Sequence, residues 1–388
     1  MTPRVLPSLR ICRISHGWPP RRDGLAHHAY LLSRYQARLG HRVTVLVPQV
    51  DSQTLDGVDI QRVSAGARTL EPTHRWDRCV FSALAATRAW RAHRETPFDI
   101  LHCHGDAKDA AVVGLLARRL GVPLILTLHA ALSRHRRHRL IAPWVFRTIT
   151  RFVVVGEHIR ADLESLRVDG RRVTVMPSGV EYDRFASGDG CRLAVRRELG
   201  VPDEALFVVT VGRLHLMKGL TYLIEAAHSL PAGVVVGLVG DGPLREAIAR
   251  AASGLEHVRL LGSRPHETMP ALLQAADIFT LPSIDLPGQA EGTPTALLEA
   301  MAAGLPVVIT DSGGGRFVVG ASGGGVIVPQ RDPGALAEAL IALAGDARRR
   351  CALGALNQRW AREQDWTIVA GRVVDVYREA LAEQGRSR

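Results

Sequence analysis

The 388-residue chain reads as an α/β protein made of two doubly wound units, each a parallel sheet with helices on both faces. Three observations predict this. Short β-branched runs alternate with amphipathic helical stretches over most of the length, the pattern of parallel strands joined by crossover helices. Between Glu181 and Pro202 the chain carries glycines and charges but no extended apolar period, which marks a boundary. The charge balance changes sign there. Residues 1–185 hold 29 Lys+Arg against 16 Asp+Glu, a balance of +13, and the remainder holds 20 against 22, a balance of −2.

Ile11 to Ser15 predicts the first strand. Leu25, Ala29, Leu32, Tyr35 and Leu39 keep helical spacing up to Gly40, and Val43 to Val47 predicts the next strand. Gly24 lies just ahead of that helix, where a missing side chain lets backbone approach an anionic ligand. A helix from Cys79 to Arg94 leads into PFDILHCHG, a strand that delivers His102 and His104 at its carboxyl end. A second helix, through Leu120, leads to VPLILTLHA, whose strand ends in His129. In open parallel sheets the ligand crevice lies beyond such strand ends, so these histidines are candidates for sugar or phosphate contact, His129 foremost. His102 with His104, and His27 with His28, lack the carboxylate or cysteine company of a metal site, and no metal is expected there. Phe152 to Val155 resumes the sheet.

The second half repeats the scheme through LFVVTVGRL, a helix from about Gly219 to Ser229, VVVGLVGDGP, a helix to Ser253, VRLLGSR, a helix to Ala276, and DIFTLPS. In the loop VGRLHLMKG, Gly212 ends a buried strand. Arg213 and Lys218 then offer two cations that could hold a diphosphate between them. Lys218 is one of only two lysines, the other being Lys108, in a chain that otherwise uses arginine. Gly240-Asp241-Gly242-Pro243 reads as a plain strand-end turn.

The stretch EGTPTALLEAMAAGLPVVIT, Glu291 to Thr310, carries most of the chemistry. Thr293 is a good N-cap with Pro294 as the first helical residue; Gly304 suits a left-handed C′ position, and Val307 to Thr310 reads as a buried strand. Glu291 precedes the helix and Glu299 lies one and a half turns inside it. Helical side chains lean toward the N-terminus, so both carboxylates can address a ligand there, where free N–H groups and the dipole favour an anion. A sugar joined through a diphosphate to a ribose fits, each hydrogen bond to a carboxylate contributing roughly 1.5–3 kcal/mol. From Asp332 onward the chain predicts successive helices, with Trp366, Val369, Val373, Val376, Tyr377 and Leu381 on one packed face.

Composition excludes several classes. Five cysteines without C-x-x-C spacing suggest neither a disulfide framework nor a zinc knot. No apolar run reaches the length of a membrane span, and the first residues lack the h-region of a signal peptide, so a cytoplasmic protein is expected. The segment Arg134 to Arg151 sets cations beside Leu140, Ile141, Trp144, Val145 and Phe146, which suggests peripheral attachment to an anionic membrane, the inner face of the plasma membrane. Nucleic acid is not an expected partner: no helix-turn-helix, zinc module or aromatic RNA-binding signature accompanies the basic charge. A glycosidase is disfavoured as well, because a phosphate-attracting helix start and two cations accompany the glutamates.

Taken together, the Gly24 loop, LTLHA, PSGVEYDRF, VGRLHLMKG, GDGPL, LLGSRPHETMPALLQAADIFTLPS and EGTPTALLEAMAAGLPVV resemble the retaining glycosyltransferases of the GT-B fold, family 4 in particular. The resemblance covers nearly the whole chain. It implies two Rossmann-like domains facing a cleft: 1–183 on the acceptor side, 184–367 on the donor side, and 368–388 as a helix returning to the first. It also implies hexosyl transfer from a UDP- or GDP-sugar to a hydroxyl of a glycan or lipid-linked saccharide, in glycolipid, exopolysaccharide or cell-envelope synthesis, with neither cofactor nor metal. The sequence contains no Asp-x-Asp pair. By the same resemblance Arg213 and Lys218 neutralise the diphosphate beside Gly212, Glu299 holds the ribose diol and Glu291 the donor-sugar hydroxyls. The backbone of Thr293, Pro294, Thr295 and Ala296 caps the phosphates and Arg264 lies beside the nucleobase, while Gly24 and His129 face phosphate and sugar and His104 lies on the acceptor side. Two departures stand out. Asp23 precedes Gly24 where the family usually has a second glycine, and Gly313-Gly314-Gly315-Arg316-Phe317 replaces the frequent Gly-Gly-x-Pro-Glu. The alternative they leave is a catalytically degenerate relative that binds nucleotide sugar or anionic surfaces without turnover.

Overall fold

The computed structural model describes residues 7–19, 21, 24–48, 54–55, 57–64, 75–130, 142–188, 191–287 and 289–386. The chain forms two compact units, Met1–Ser178 with Trp366–Arg388, and Gly179–Asp365.

In the first unit β1 (Arg10–Ser15), β2 (Arg42–Val47), β3 (Thr54–Leu55), β4 (Val58–Arg62), β5 (Ile100–His104), β6 (Leu124–Leu128), β7 (Arg151–Val154) and β8 (Val173–Val175) form one sheet in the order β3-β4-β2-β1-β5-β6-β7-β8. Only the short edge strand β3 pairs antiparallel among the described residues. Every residue of β5 and β6 is buried, as strands covered on both faces must be. Helix α1 (Gly24–Arg38) covers one face through Ala29 and Leu32. Helices α2 (Arg75–Glu95) and α3 (Ala107–Leu120) cover the other through Phe81, Ala85, Val113 and Leu116. A capping box between Asp106 and Asp109 starts α3, and Gly121 in the left-handed region ends it. Helix α4 (Glu157–Ser165) follows β7.

In the second unit β9 (Leu206–Val211), β10 (Val234–Val239), β11 (Val258–Gly262), β12 (Ile278–Leu281), β13 (Val307–Thr310) and β14 (Gly325–Val328) are all parallel, in the order β11-β10-β9-β12-β13-β14. This is the doubly wound order, with its switch point between β9 and β12. The helices are α5 (Tyr182–Ala186), α6 (Arg192–Glu198), α7 (Leu220–Ala227), α8 (Arg245–Ala251), α9 (Met269–Ala275), α10 (Thr295–Ala302), α11 (Gly313–Ser322), α12 (Pro333–Ala344) and α13 (Ala347–Arg362). Arg196, fully buried on α6, donates to the carbonyls of Ala275, Asp203 and Ala205 and to the Asp277 carboxylate at 2.6 Å, so its charge is both paired and bonded.

The last helix, α14 (Trp366–Arg386), belongs to the first unit. Trp366, Val369, Val373, Val376 and Tyr377 are buried against the side of that sheet that α1 covers. The sequence set the boundaries at 183/184 and 367/368, whereas the units divide at 178/179 and 365/366. Backbone pairing explains the shift: Val180 N–H donates to Gln364 O at 2.9 Å and Tyr182 N–H to the Asp365 carboxylate, which ties these ends together within the second unit. Asp23, and the basic stretch Arg134 to Arg151 up to residue 141, lie outside the described residues. Among the described residues no helix is long and apolar enough to cross a membrane.

A buried cation sits in the middle of the first sheet. Arg13 of β1 is fully buried and donates to Ser33 Oγ at 2.5 Å, Gln36 Oε1 at 2.6 Å and Tyr377 Oη at 3.2 Å. Tyr377 in turn donates to His102 Nδ1 at 2.5 Å, and His102 Nε2–H to Thr127 Oγ1 at 2.7 Å. Burial lowers the Arg13 pKa from its ordinary value, with Tyr377 opposing the shift. Tyr377→Phe removes an acceptor from the guanidinium and a donor from His102. It should lower the stability of the first unit by about 1–3 kcal/mol in urea unfolding; an unchanged midpoint would contradict the role given to this hydroxyl.

Candidate active site

The candidate residues of the second unit cluster where the loops after β9 and β12 meet the segment before α10, at the switch point of its sheet. Glycines make this approach possible. A Cβ on Gly219 (φ +58°) would fall 1.9 Å from Pro282 O, and one on Gly240 (φ +144°) 1.9 Å from Gly212 O. Ile284 N–H donates to Met217 O at 2.8 Å, locking the two loops together. Gly240-Asp241-Gly242-Pro243 is therefore more than a plain turn: Leu214 N–H donates to Asp241 O, and Leu244 N–H to Leu214 O.

Lys218 lies in a 3-10 turn, Leu216–Lys218, between β9 and α7. Its Nζ is 2.5 Å from Glu291 Oε1, and Ser283 Oγ donates to Glu291 Oε2 at 2.7 Å. The sequence reading sent Lys218 to phosphate and Glu291 to sugar; the structure pairs them with each other, two residues before Thr293. The pair is mostly shielded from water, so an incoming ligand must exchange one charged contact for another. A Cβ on Gly212 would come within 3.1 Å of Lys218 Cε, so glycine there leaves the lysine stem its room. Arg213 is exposed and makes no side-chain hydrogen bond or ion pair among the described residues.

The helix starts one residue later than expected. Pro294, not Thr293, occupies the N-cap position of α10, with φ −67° and ψ 120°, and its carbonyl accepts from Leu297 N–H. A proline there supplies no capping side chain, which leaves the first N–H groups, those of Thr295 and Ala296, without one. Packing accounts for Gly313 and Gly314, the two glycines this stretch shares with the family pattern, and not for Arg316-Phe317, where it departs. Gly314 N–H donates to Glu291 O at 3.0 Å, and a Cβ on Gly313 (φ +47°) would fall 2.3 Å from the same oxygen. Arg316 donates from one terminal nitrogen to both carboxylate oxygens of Asp311.

Glu299, only 8% exposed, accepts from His266 Nε2 at 2.9 Å. Arg184 NH1 lies 3.1 Å from His266 Nδ1 and donates to Glu181 Oε2 at 3.1 Å. Sequence reasoning missed His266. The motif PHETMP holds it in plain view, but its only signal is spatial proximity to α10. Arg264 donates to Glu198 at 2.7 Å and to Leu261 O, at the rim of the unit.

In the first unit His104 ends β5 and His129 follows β6, with His104 Nδ1 3.0 Å from His129 Nε2. His28 of α1 joins them, its ring centroid 4.8 Å from that of His129. His28 and His104 are buried and His129 half-buried. Burial, reinforced by neighbouring cations and imidazoles, holds His28, His102 and His104 well below their ordinary pKa, so these rings are neutral. Gly24 is the first residue of α1, exposed, with nothing within 4 Å of where a Cβ would stand. Packing does not require a glycine at that position.

Two doubly wound parallel-sheet units, with the last helix returned to the first, have the GT-B architecture. A family model for glycosyltransferase family 4 matches residues 22–184, and one for glycosyl transferases group 1 matches residues 205–346. A D-inositol 3-phosphate glycosyltransferase of Salinispora tropica is 33% identical over 341 residues, covering 79% of this chain and 68% of that protein. A phosphatidyl-myo-inositol mannosyltransferase of Mycobacterium leprae is 28% identical over 386 residues, 97% of each. The crystal structure of Anabaena Alr3699/HepE in complex with UDP shares the fold, with a TM-score of 0.76 at 18% identity over 95% of this chain and 99% of that one. The chain belongs to the family 4 glycosyltransferases.

The His266 pair gives a pH dependence with a definite sign. The hydrogen bond to Glu299 raises the His266 pKa above 6.5, while burial and Arg184 oppose it. A raised folded-state pKa contributes stability that is whole below about 6.5 and fades as pH rises through the folded value. Glu299→Gln should return the His266 titration toward 6.5, followed by NMR of the imidazole; an unchanged titration would contradict the pairing.

Proposed function

We propose that the protein moves a hexosyl group from a nucleoside diphosphate sugar, UDP- or GDP-linked, to a hydroxyl of a phosphate-bearing polyol or lipid-linked saccharide. The transfer retains anomeric configuration and needs no metal. The observation that carries this reading is the Lys218–Glu291 pair at the approach to α10: a cation suited to diphosphate and a carboxylate suited to carbohydrate, beside a helix start with uncapped N–H groups. The relatives named for inositol-bearing acceptors support the acceptor class, and the UDP held by the Anabaena protein supports the donor class.

As the glycosidic bond lengthens, negative charge grows on the departing diphosphate and positive charge on the anomeric carbon. Lys218 and the exposed Arg213 stabilise the first with the amides of Thr295 and Ala296, and more strongly in the transition state than before it. Glu291 exchanges its lysine contact for sugar hydroxyls, and Glu299 takes the ribose diol, with His266 holding its second oxygen in place. The acceptor hydroxyl attacks from the face the diphosphate leaves, and its proton passes to the departing phosphate oxygen, so no protein nucleophile is used. His129 contacts the transferring sugar and His104 serves the acceptor side; Gly24 supplies backbone to the phosphate and Arg264 lies beside the base.

The site of action we propose is the cytoplasmic face of an anionic membrane. Two features support it: the charge excess of the first half, and Trp144 at 73% exposure with Arg147 5.2 Å over its ring.

A thermal-shift panel of UDP-, GDP- and ADP-sugars tests donor binding. At 100 times its Kd the correct donor adds about 2.7 kcal/mol, a shift of roughly 5–10 °C for a unit of this size. Lys218→Ala should lower kcat by roughly 10²–10³ in a transfer assay. A shift without any transfer would mark the degenerate relative instead, and no shift with any donor would overturn the proposal.

A further inference from the structure

Three imidazoles of the first unit converge in a way that sugar transfer does not require. One ring nitrogen from each of His28, His104 and His129 lies within 4.8 Å of one from each of the others. They come from three elements: α1, the carboxyl end of β5, and the residue after β6. His28 Nε2 is buried and has no hydrogen-bond partner, a cost the fold carries unless a ligand meets it; His104 Nε2 is likewise buried and unpartnered. His28 Nδ1 lies 3.0 Å from Ser178 Oγ, the kind of orienting contact that fixes which nitrogen a histidine presents. The half-buried His129 leaves the group open on one side.

We propose that His28, His104 and His129 bind a divalent transition-metal ion of borderline softness, zinc or its cobalt analogue, with water or a ligand in the fourth position. Three imidazoles without a carboxylate suit zinc and cobalt and not magnesium or calcium, which take oxygen ligands. Zn–N bonds of about 2.0–2.1 Å bring tetrahedral ligand atoms to about 3.4 Å from each other. His104 Nδ1 and His129 Nε2, now hydrogen-bonded at 3.0 Å, already stand about that far apart, so the ion would take the place of the proton between them. On the reading of His129 as a sugar contact, the ion is an inhibitor: a ring held by the metal at one nitrogen cannot turn that nitrogen to the sugar.

The test uses the full chain stripped with chelator and titrated with Co2+, followed by visible d–d absorption. One equivalent is expected, displaced by Zn2+ and not by Mg2+. His28→Gln and His104→Gln should each weaken binding at least about 100-fold, and Ser178→Ala about 10-fold. Because the first two positions are buried, NMR of the imidazole nitrogens in the unaltered protein gives a second measurement: three histidines should shift together on Zn2+ addition. Absence of stoichiometric binding by the folded protein, or binding unchanged in both variants with no shift at these rings, overturns the site. Zinc bound here without loss of transfer overturns the sugar contact assigned to His129 and supports the metal site, so the two failures are separable.

Discussion

The chemistry of the second unit depends on how closely its backbone segments approach one another. Lys218 reaches Glu291 because the loop after β9 lies directly on the chain leaving β12, with Gly219 against Pro282 O and no room for a Cβ between them. The other side of Glu291 is fixed in the same way, by Gly313 and Gly314 under its carbonyl. A side chain at any of these glycines would push apart segments whose spacing sets an ion pair at 2.5 Å. Ser283 adds the remaining bond to the carboxylate, so the geometry is held before any ligand arrives.

The first unit solves a different problem. Arg13 carries a buried charge whose bonded partners are a serine, a glutamine and a tyrosine, all neutral. Desolvation of such a group is costly, and bonds from both terminal nitrogens offset it in part, while Nε is buried without a partner. The bonds come from β1, α1 and α14, and through Tyr377 the network extends to His102 on β5, directly below the strand end that carries His104. A polar network of this kind specifies which helix packs where, since no apolar side chain could replace its members one at a time.

Most of the architecture was legible in the sequence because parallel strands and crossover helices leave strong periodic signals. The Val307–Thr310 strand, the helix ahead of it and the left-handed Gly304 (φ +77°) all follow from local residue types. What local patterns miss is partnership. Nothing near His266 announces Glu299, thirty-three residues on, and nothing near His28 announces His104 or His129. The cap at Pro294 in place of Thr293 is a competition between two adequate candidates, which propensity alone does not decide. Gly313 and Gly314 keep the glycines of the family pattern, and their use appears only when Glu291 is seen resting on them.

Because α14 completes the first unit, the polypeptide leaves that unit at residue 178 and rejoins it at 366. On the ribosome, at about 5–20 residues per second, the intervening segment takes roughly 10–40 s to emerge. By the end of that interval the second unit has all its strands, while the first still lacks Trp366 and the Tyr377 hydroxyl that bonds Arg13. The order of maturation is thus inverted relative to the order of translation: the half made first is finished last.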